Sequence, residues 1–128
     1  MTATSRRSTN FCRLFTTSCD DRQPVIWHLG VVPFSGDGPV RIFEVPPTVE
    51  ISWDVLIRWS GDGRSLSYVD HRGGVDNLWS QPLDGGAPKQ VTDFKDSRIF
   101  SFDWSRNGRL LLSRGAQTND VVLISDAK

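Results

Sequence analysis

A repeat with a period of about 45 residues is the feature that most constrains how this chain folds. The run that starts at Trp59 reads Trp-Ser-Gly-Asp-Gly-Arg-Ser-Leu, and the run that starts at Trp104 reads Trp-Ser-Arg-Asn-Gly-Arg-Leu-Leu. A second match, with a period of 49, relates residues 33–39 to residues 82–88, and both segments begin at a proline and contain a glycine turn. Recurrence at a period of 20–50 residues indicates a fold built from equivalent supersecondary units.

Each unit is predicted to be a sheet of about four antiparallel strands. Between residues 53 and 95, short runs of β-branched and aromatic residues alternate with turns at Asp62-Gly63, Gly73-Gly74 and Gly85-Gly86. Such spacing is typical of a hairpin meander. No segment holds apolar residues at a 3.6-residue period, so no helix is predicted. The predicted strands are 11–17, 25–34, 40–45, 55–59, 65–70, 77–82, 89–92, 99–104, 109–114 and 121–125.

Sheets of four strands that repeat every 40–50 residues are the signature of β-propeller blades. The predicted fold is therefore all-β, a partial β-propeller of about two to three four-stranded antiparallel blades in an incomplete ring. The expected organisation is a disordered N-terminus (1–10), a partial blade (11–50), a complete four-stranded blade (51–95) and a partial C-terminal blade (96–128). We also expect Lys128 to be a genuine end and Met1 not to be the natural start.

Alternation along the strands predicts where the core lies. Ile57 and Trp59 lie two residues apart on one face of their strand, and Phe102 and Trp104 do so in the next unit. The repeat also places Leu111 at the position of Leu66. We expect the faces that carry Ile57 and Trp59, and Phe102 and Trp104, to be buried between neighbouring sheets.

The balance of charges argues against a strong positive electrostatic field that would attract a polyanion. The 128 residues include 15 Lys and Arg and 15 Asp and Glu, so the formal net charge is zero. Interleaved arginines and aromatics allow a single-stranded nucleic acid surface, but the neighbouring acids favour a solvated propeller surface, so no nucleic acid partner is predicted. No apolar run reaches the 18–20 residues of a membrane span. The arginines concerned are Arg58, Arg64, Arg72, Arg98, Arg106, Arg109 and Arg114.

The run from Trp59 resembles the TolB-type propeller repeat, whose hallmark is Trp-Ser-Pro-Asp-Gly-Arg followed by an apolar strand; Gly61 and Arg106 replace the proline here. The segments Asn77-Leu-Trp-Ser-Gln-Pro-Leu-Asp-Gly-Gly and Lys89-Gln-Val-Thr-Asp-Phe resemble the end of the propeller tail in bacterial serine/threonine protein kinases, within a match of about residues 25–125. In that family a kinase domain and a membrane helix precede the propeller, which lies outside the membrane. The resemblance implies an extracytoplasmic or periplasmic binding domain, although no signal peptide is visible in this chain.

No catalytic, cofactor-binding or metal-binding residue is predicted, and the binding residues are unknown. His71-Arg72 and Asp93-Phe94 only superficially match kinase motifs, because Gly73 and Lys95 stand where Asp and Gly are required. His28 and His71 have no Cys or carboxylate at metal-ligand spacing. The remaining candidates are Asp37, Asp62 and Asp84, which are read as turn formers rather than calcium ligands, and Cys12 and Cys19, which are read as ordinary thiols with a bridge left open.

These observations favour a non-enzymatic propeller fragment that binds a protein or a small ligand. It would be the sensing or scaffolding C-terminal part of a membrane-bound bacterial kinase, or a TolB-like domain. Its neighbours would be blades of a longer chain or a self-associated copy. Two alternatives stay open: the propeller of a serine peptidase that gates substrate access, and a purely structural interaction module.

Overall fold

The structure, a computed structural model, describes residues 4–7, 10–16, 26–36, 41–49 and 57–125, with only the backbone described for the first two segments. Strands dominate these residues, and a single 3₁₀ turn at Arg72–Gly74 lies where a glycine turn was predicted. No helix in this part of the chain is long and apolar enough to cross a bilayer. The strands are β1 (Thr4–Arg7), β2 (Asn10–Thr16), β3 (Trp27–Pro33), β4 (Arg41–Glu44), β5 (Ile57–Trp59), β6 (Ser65–Asp70), β7 (Asn77–Pro82), β8 (Lys89–Gln90), β9 (Arg98–Trp104) and β10 (Leu110–Gly115).

The strands form three antiparallel sheets, each in chain order. The first sheet is β1-β2-β3-β4, the second is β5-β6-β7-β8, and the third is the pair β9-β10. The leading strands contact one another, β1 against β5 and β5 against β9, so the sheets stack side by side through these strands. The predicted all-β architecture of antiparallel sheets is confirmed, and two of the three sheets in the described residues have four strands.

The first sheet contains one strand more than the sequence predicted. Residues 1–10 were expected to be disordered, yet β1 pairs with β2 along Thr4–Arg7. This polar strand carries no apolar alternation that a pattern search could detect. Its place is set by backbone hydrogen bonding to β2, since peptide groups in a sheet require partners whatever their side chains. The first blade therefore begins before residue 11 and has four strands.

The outermost strand of the second sheet, β8, is shorter than the predicted 89–92. The Thr92 hydroxyl accepts a hydrogen bond from the Leu78 amide at 2.9 Å, so a side chain replaces the ladder contact there. The same hydroxyl donates to Asn77 Oδ1, which also accepts from the Phe94 amide at 2.7 Å. The chain thus leaves the sheet at Val91 while still anchored to β7.

The second sheet is the middle layer and is buried on both faces. Leu66 and Tyr68 lie on the side of the first sheet, in a core cluster that contains Trp59 and the first-sheet residues Leu29 and Val31. Ser67, between them on β6, points to the opposite face and is also fully buried, as expected for a strand that is covered on both sides. Trp59, at 8% exposure, is confirmed as core.

The third sheet meets the opposite face of the second through Trp104. Its indole Nε1 donates to the hydroxyl of buried Ser67 at 3.0 Å. Phe102 is buried as predicted, but Trp104 is only half-buried. The reason is that the third sheet has only two strands in the described residues, so its outer part is left uncovered.

The register of the third sheet departs from the repeat by one residue. Trp59 pairs with Leu66, seven residues on, whereas Trp104 pairs with Leu110, six residues on. A one-residue change in register moves a side chain to the other face of the sheet. Leu111, the sequence equivalent of fully buried Leu66, is therefore 76% exposed, so the repeat match at this position does not extend to burial.

Tyr68, the only tyrosine in the chain and 3% exposed, makes the fold sensitive to alkali. Burial of the ring and the nearby Asp70 carboxylate raise the pKa of Tyr68 from 10.0 to about 12. The unfolded chain loses this proton first, so the free energy of unfolding should fall between pH 10 and 12 by about 2–3 kcal/mol. Tyr68→Phe should remove this part of the pH dependence in denaturant titrations. Phenolate absorbance with a midpoint near pH 10 in the folded protein would contradict the prediction.

Candidate binding surfaces

The two copies of the sequence repeat form turns that are stabilised in the same way, by a serine hydroxyl that donates to an Asp or Asn side chain. In the first copy, the Ser60 hydroxyl donates to Asp62 Oδ1 at 2.6 Å, and the Arg64 amide donates to the same oxygen at 3.0 Å. Both bonds stabilise the carboxylate and lower the pKa of Asp62. In the second copy the Ser105 hydroxyl donates to Asn107 Oδ1 at 2.5 Å. Asp62 thus acts as the turn former that its sequence context predicts.

Gly61 lets the turn of the second sheet pack against the turn of the third. A Cβ atom at this position would lie 2.8 Å from the carbonyl oxygen of Ser105 and 3.1 Å from the amide nitrogen of Gly108. Both are backbone atoms and cannot move aside alone. The TolB-type hallmark has proline at this position, and the close contact gives a physical reason for glycine here.

Gly61→Ala should therefore lower the free energy of unfolding by about 1–3 kcal/mol, because the turns must separate to admit the methyl group. Arg106 is the repeat equivalent of Gly61 and is exposed. Arg106→Ala is the matched control and should change stability by less than about 0.5 kcal/mol. Urea unfolding followed by circular dichroism measures both. Equal effects of the two substitutions would contradict the packing argument.

A cleft of about 470 Å³ lies at the end of the second sheet where the turns after β5 and β7 meet. Arg41 reaches it from β4 of the first sheet and donates to the Leu83 carbonyl oxygen. The Asp84 carboxylate accepts from the Gly86 amide at 2.8 Å. The residues that line the cleft are Arg41, Gly63, Arg64, Ser65, Ser80, Pro82, Leu83, Asp84 and Lys89.

Asp76, at the other end of β6 and β7, joins the second sheet to the third. His71 Nδ1 donates to Asp76 Oδ1 at 2.5 Å, and the Ile99 amide donates to Oδ2 at 2.8 Å. Arg98 Nε lies 3.7 Å from the same oxygen. The His71 amide also donates to the Thr48 carbonyl oxygen, which links this cluster to the turn that follows β4. Sequence reasoning missed Asp76, since no local pattern brings residues 71, 76 and 99 together.

Several of the arginines considered for nucleic acid binding are used within the fold. Arg72 donates to buried Asp70 at 3.1 Å and stacks over Trp79 at 4.5 Å from the ring centre. Arg114 pairs with Asp96 at 2.9 Å and covers Phe94 at 3.8 Å. Arg98 pairs with Asp76 as above, and Arg58 donates to the neighbouring Ile57 carbonyl oxygen. Arg64, Arg106 and Arg109 lie on turns, so the structure does not gather the seven into one surface.

The remaining sequence candidates are not brought together. His28 lies on β3 and His71 lies beside Asp76, in different sheets. Asp93 forms an exposed ion pair with Lys95 at 2.6 Å. Asp37 and the side chains of Cys12 and Cys19 lie outside the described residues. In the part of the chain that is described, no group of three or more His, Cys, Asp and Glu residues could hold a metal ion.

Exposed apolar side chains lie on the third sheet and in the segment that follows it in the chain. Residues 121–124 (Val-Val-Leu-Ile) are 73–98% exposed, and Leu111 and Phe100 lie exposed on the sheet itself. The prediction of a strand over residues 121–125 is wrong, because the structure assigns none there. Four consecutive aliphatics suit a strand buried on both faces, and pairing with β10 alone would leave one face in water.

Comparisons with known proteins identify the architecture. No model of a known protein family matches the sequence, and no curated protein matches it. The β-propeller domain of the trilobed protease from Pyrococcus furiosus, described as having an open velcro topology, aligns with a TM-score of 0.59 at 16% identity. The alignment covers 87% of this chain and 33% of that one. This chain is part of a β-propeller.

Two other solved structures show the same likeness. An acylaminoacyl peptidase in complex with Z-Gly-Gly-Phe-chloromethyl ketone aligns with a TM-score of 0.61 at 17% identity, over 98% of this chain and 19% of the peptidase. TolB from Acinetobacter baumannii aligns with a TM-score of 0.53 at 21% identity, over 84% of this chain and 25% of TolB. The propeller chain thus spans between a fifth and a third of these structures, and its likeness to TolB supports the TolB-like repeat identified in the sequence.

Proposed function

We propose that this chain is a non-enzymatic part of a β-propeller that binds protein through the open end of its third sheet. The observation that carries the proposal is the run of residues 121–124, four aliphatic side chains that are 73–98% exposed and lie after the two-stranded third sheet. Burial of apolar surface contributes about 25 cal/mol per Å². An exposed patch of this kind marks an interaction surface.

The polar residues support a binding role rather than catalysis. His71 and Asp76 have the chemistry of a general base and its orienting acid. Among the described residues, however, no serine, threonine or cysteine side chain forms a hydrogen bond with His71 Nε2. Asp76 Oδ2 instead accepts a hydrogen bond from the Ile99 amide, and the contacts of Asp76 hold the second and third sheets together.

The partner is another propeller sheet, which belongs either to a longer chain or to a second copy of this chain. The resemblance of about residues 25–125 to kinase propeller tails supports a sensing or scaffolding role outside the membrane. The alternative is the propeller of a serine peptidase that restricts access to a separate catalytic domain. It is supported by the likeness to the acylaminoacyl peptidase and to the trilobed protease propeller. The adjoining genomic sequence separates the two: a kinase domain and an apolar helix upstream, or a hydrolase domain downstream.

Light scattering with size-exclusion chromatography, together with binding of a hydrophobic dye, tests the open end directly. The isolated chain should self-associate with increasing concentration and bind the dye. Leu123→Asp should reduce both signals. Val91→Asp is the matched control, because Val91 is an exposed aliphatic that follows β8 rather than the third sheet. A stable monomer that melts cooperatively and binds no dye would contradict the proposal.

A further inference from the structure

We infer that the cleft at the end of the second sheet binds a small organic anion, one in which a carboxylate or phosphate group is joined to an apolar group. This site is separate from the open end of the third sheet. Its lining combines Arg41 of the first sheet with the turns after β5 and β7 and with the first residue of β8.

The charges of the cleft favour an anion. Three cationic side chains, Arg41, Arg64 and Lys89, line it together with the single acid Asp84. Arg64 and Lys89 form no close ion pair with any described residue, unlike Arg72, Arg98 and Arg114 elsewhere in the fold, although the charge of Arg64 contributes to the lowered pKa of Asp62. Arginine presents a planar fork of donors that matches the geometry of a carboxylate or phosphate, and lysine adds a point charge.

The acid in the cleft offsets only one of the three positive charges. Asp84 Oδ1 accepts from the Gly86 amide in the tight turn after β7, so this carboxylate is held by the backbone and not by the cations. Arg41 is directed into the cleft by its bond to the Leu83 carbonyl oxygen, which occupies only part of its donor capacity. The remaining donors of Arg41, Arg64 and Lys89 are left for an incoming oxyanion.

The rest of the lining suits an organic ligand better than a bare ion. Pro82 and Leu83 supply apolar surface, and the Ser65 and Ser80 hydroxyls make no hydrogen bond to a described residue. A volume of about 470 Å³ falls within the range of about 300–1,000 Å³ that is usual for small-molecule sites. Apolar walls with a few converging polar groups are the common composition of such sites.

The test is an NMR titration of the whole chain with benzoate and with phenyl phosphate, which separate the two oxyanion classes. Benzyl alcohol is the uncharged control, and inorganic phosphate carries the charge without the ring. Saturable shifts of the amides of Gly63, Arg64 and Leu83 with at least one aromatic anion are expected, with weaker binding of phosphate and none of the alcohol. Added salt should weaken binding.

Matched variants locate the site. Arg64→Gln and Lys89→Gln should each weaken binding about tenfold or more, as expected for loss of a charge-assisted hydrogen bond. Arg109→Gln, at the repeat equivalent of Arg64 in the third sheet, should leave it unchanged. So should Leu123→Asp, so failure of this inference is distinguishable from failure of the proposed function. The inference is overturned if neither aromatic anion saturates, if both bind no better than inorganic phosphate, or if Arg109→Gln weakens binding as much as Arg64→Gln.

Discussion

Trp59→Ala is expected to lower the free energy of unfolding by about 3–5 kcal/mol. Trp59 is 8% exposed and packs in the cluster shared by the first and second sheets, so truncation opens a cavity between two sheets rather than at a surface. Small domains are stable by only about 5–15 kcal/mol, so this is a large share of the total. Urea denaturation followed by far-ultraviolet circular dichroism measures the change.

Trp104→Ala is the natural comparison, because Trp104 occupies the equivalent repeat position but is half-buried. Its loss should cost less than that of Trp59. If Trp59→Ala fails to fold, Trp59→Phe keeps most of the apolar volume and removes the indole Nε1, which is buried and has no hydrogen-bond partner among the described residues. Trp59→Phe should therefore be much milder. A loss below about 1 kcal/mol for Trp59→Ala would contradict the placement of this residue in the core.

Asp76→Ala should destabilise the protein by about 2–4 kcal/mol. The substitution removes the acceptor for the Ile99 amide and for His71 Nδ1, and a buried donor left without a partner costs about 1–3 kcal/mol by itself. Because Asp76 joins the second and third sheets, the loss should be greatest at their junction. Amide hydrogen exchange of Ile99 should accelerate more than that of Leu66, which lies in the core on the other side of the second sheet.

Asp93→Ala is the matched control for Asp76→Ala. Asp93 also forms an ion pair, with Lys95 at 2.6 Å, but both side chains are exposed. Exposed pairs contribute about 0–1 kcal/mol because water and salt screen them. Similar losses for the two substitutions would show that Asp76 does not connect the sheets in solution.

The two inner strands of the second sheet could be predicted from the sequence residue by residue. The predicted strands 65–70 and 77–82 coincide with β6 and β7. Their limits are set by alternation and by turn glycines such as Gly63 and Gly85, which have positive φ angles. These signals act between residues close in the chain, so a single sequence reveals them.

The edges of the fold could not be predicted in the same way. β1 has a polar sequence and depends on β2, whereas residues 121–125 have a strand-like sequence and form no strand. In both cases the available hydrogen-bonding and packing partners override the local pattern. The exposure of Leu111 follows from a one-residue difference in register between two turns of nearly identical sequence.

The sequence by itself determined the strands, the turns and their repetition, because these follow from side-chain periodicity and from the conformational freedom of glycine over a few residues. Only the tertiary structure decided which charges converge. Arg41 meets Arg64 and Lys89 across two sheets, and Asp76 binds the amide of a residue 23 positions away. Such contacts depend on how the sheets stack, and the free energy of stacking is spread over surfaces distant in the chain, so no short segment encodes them.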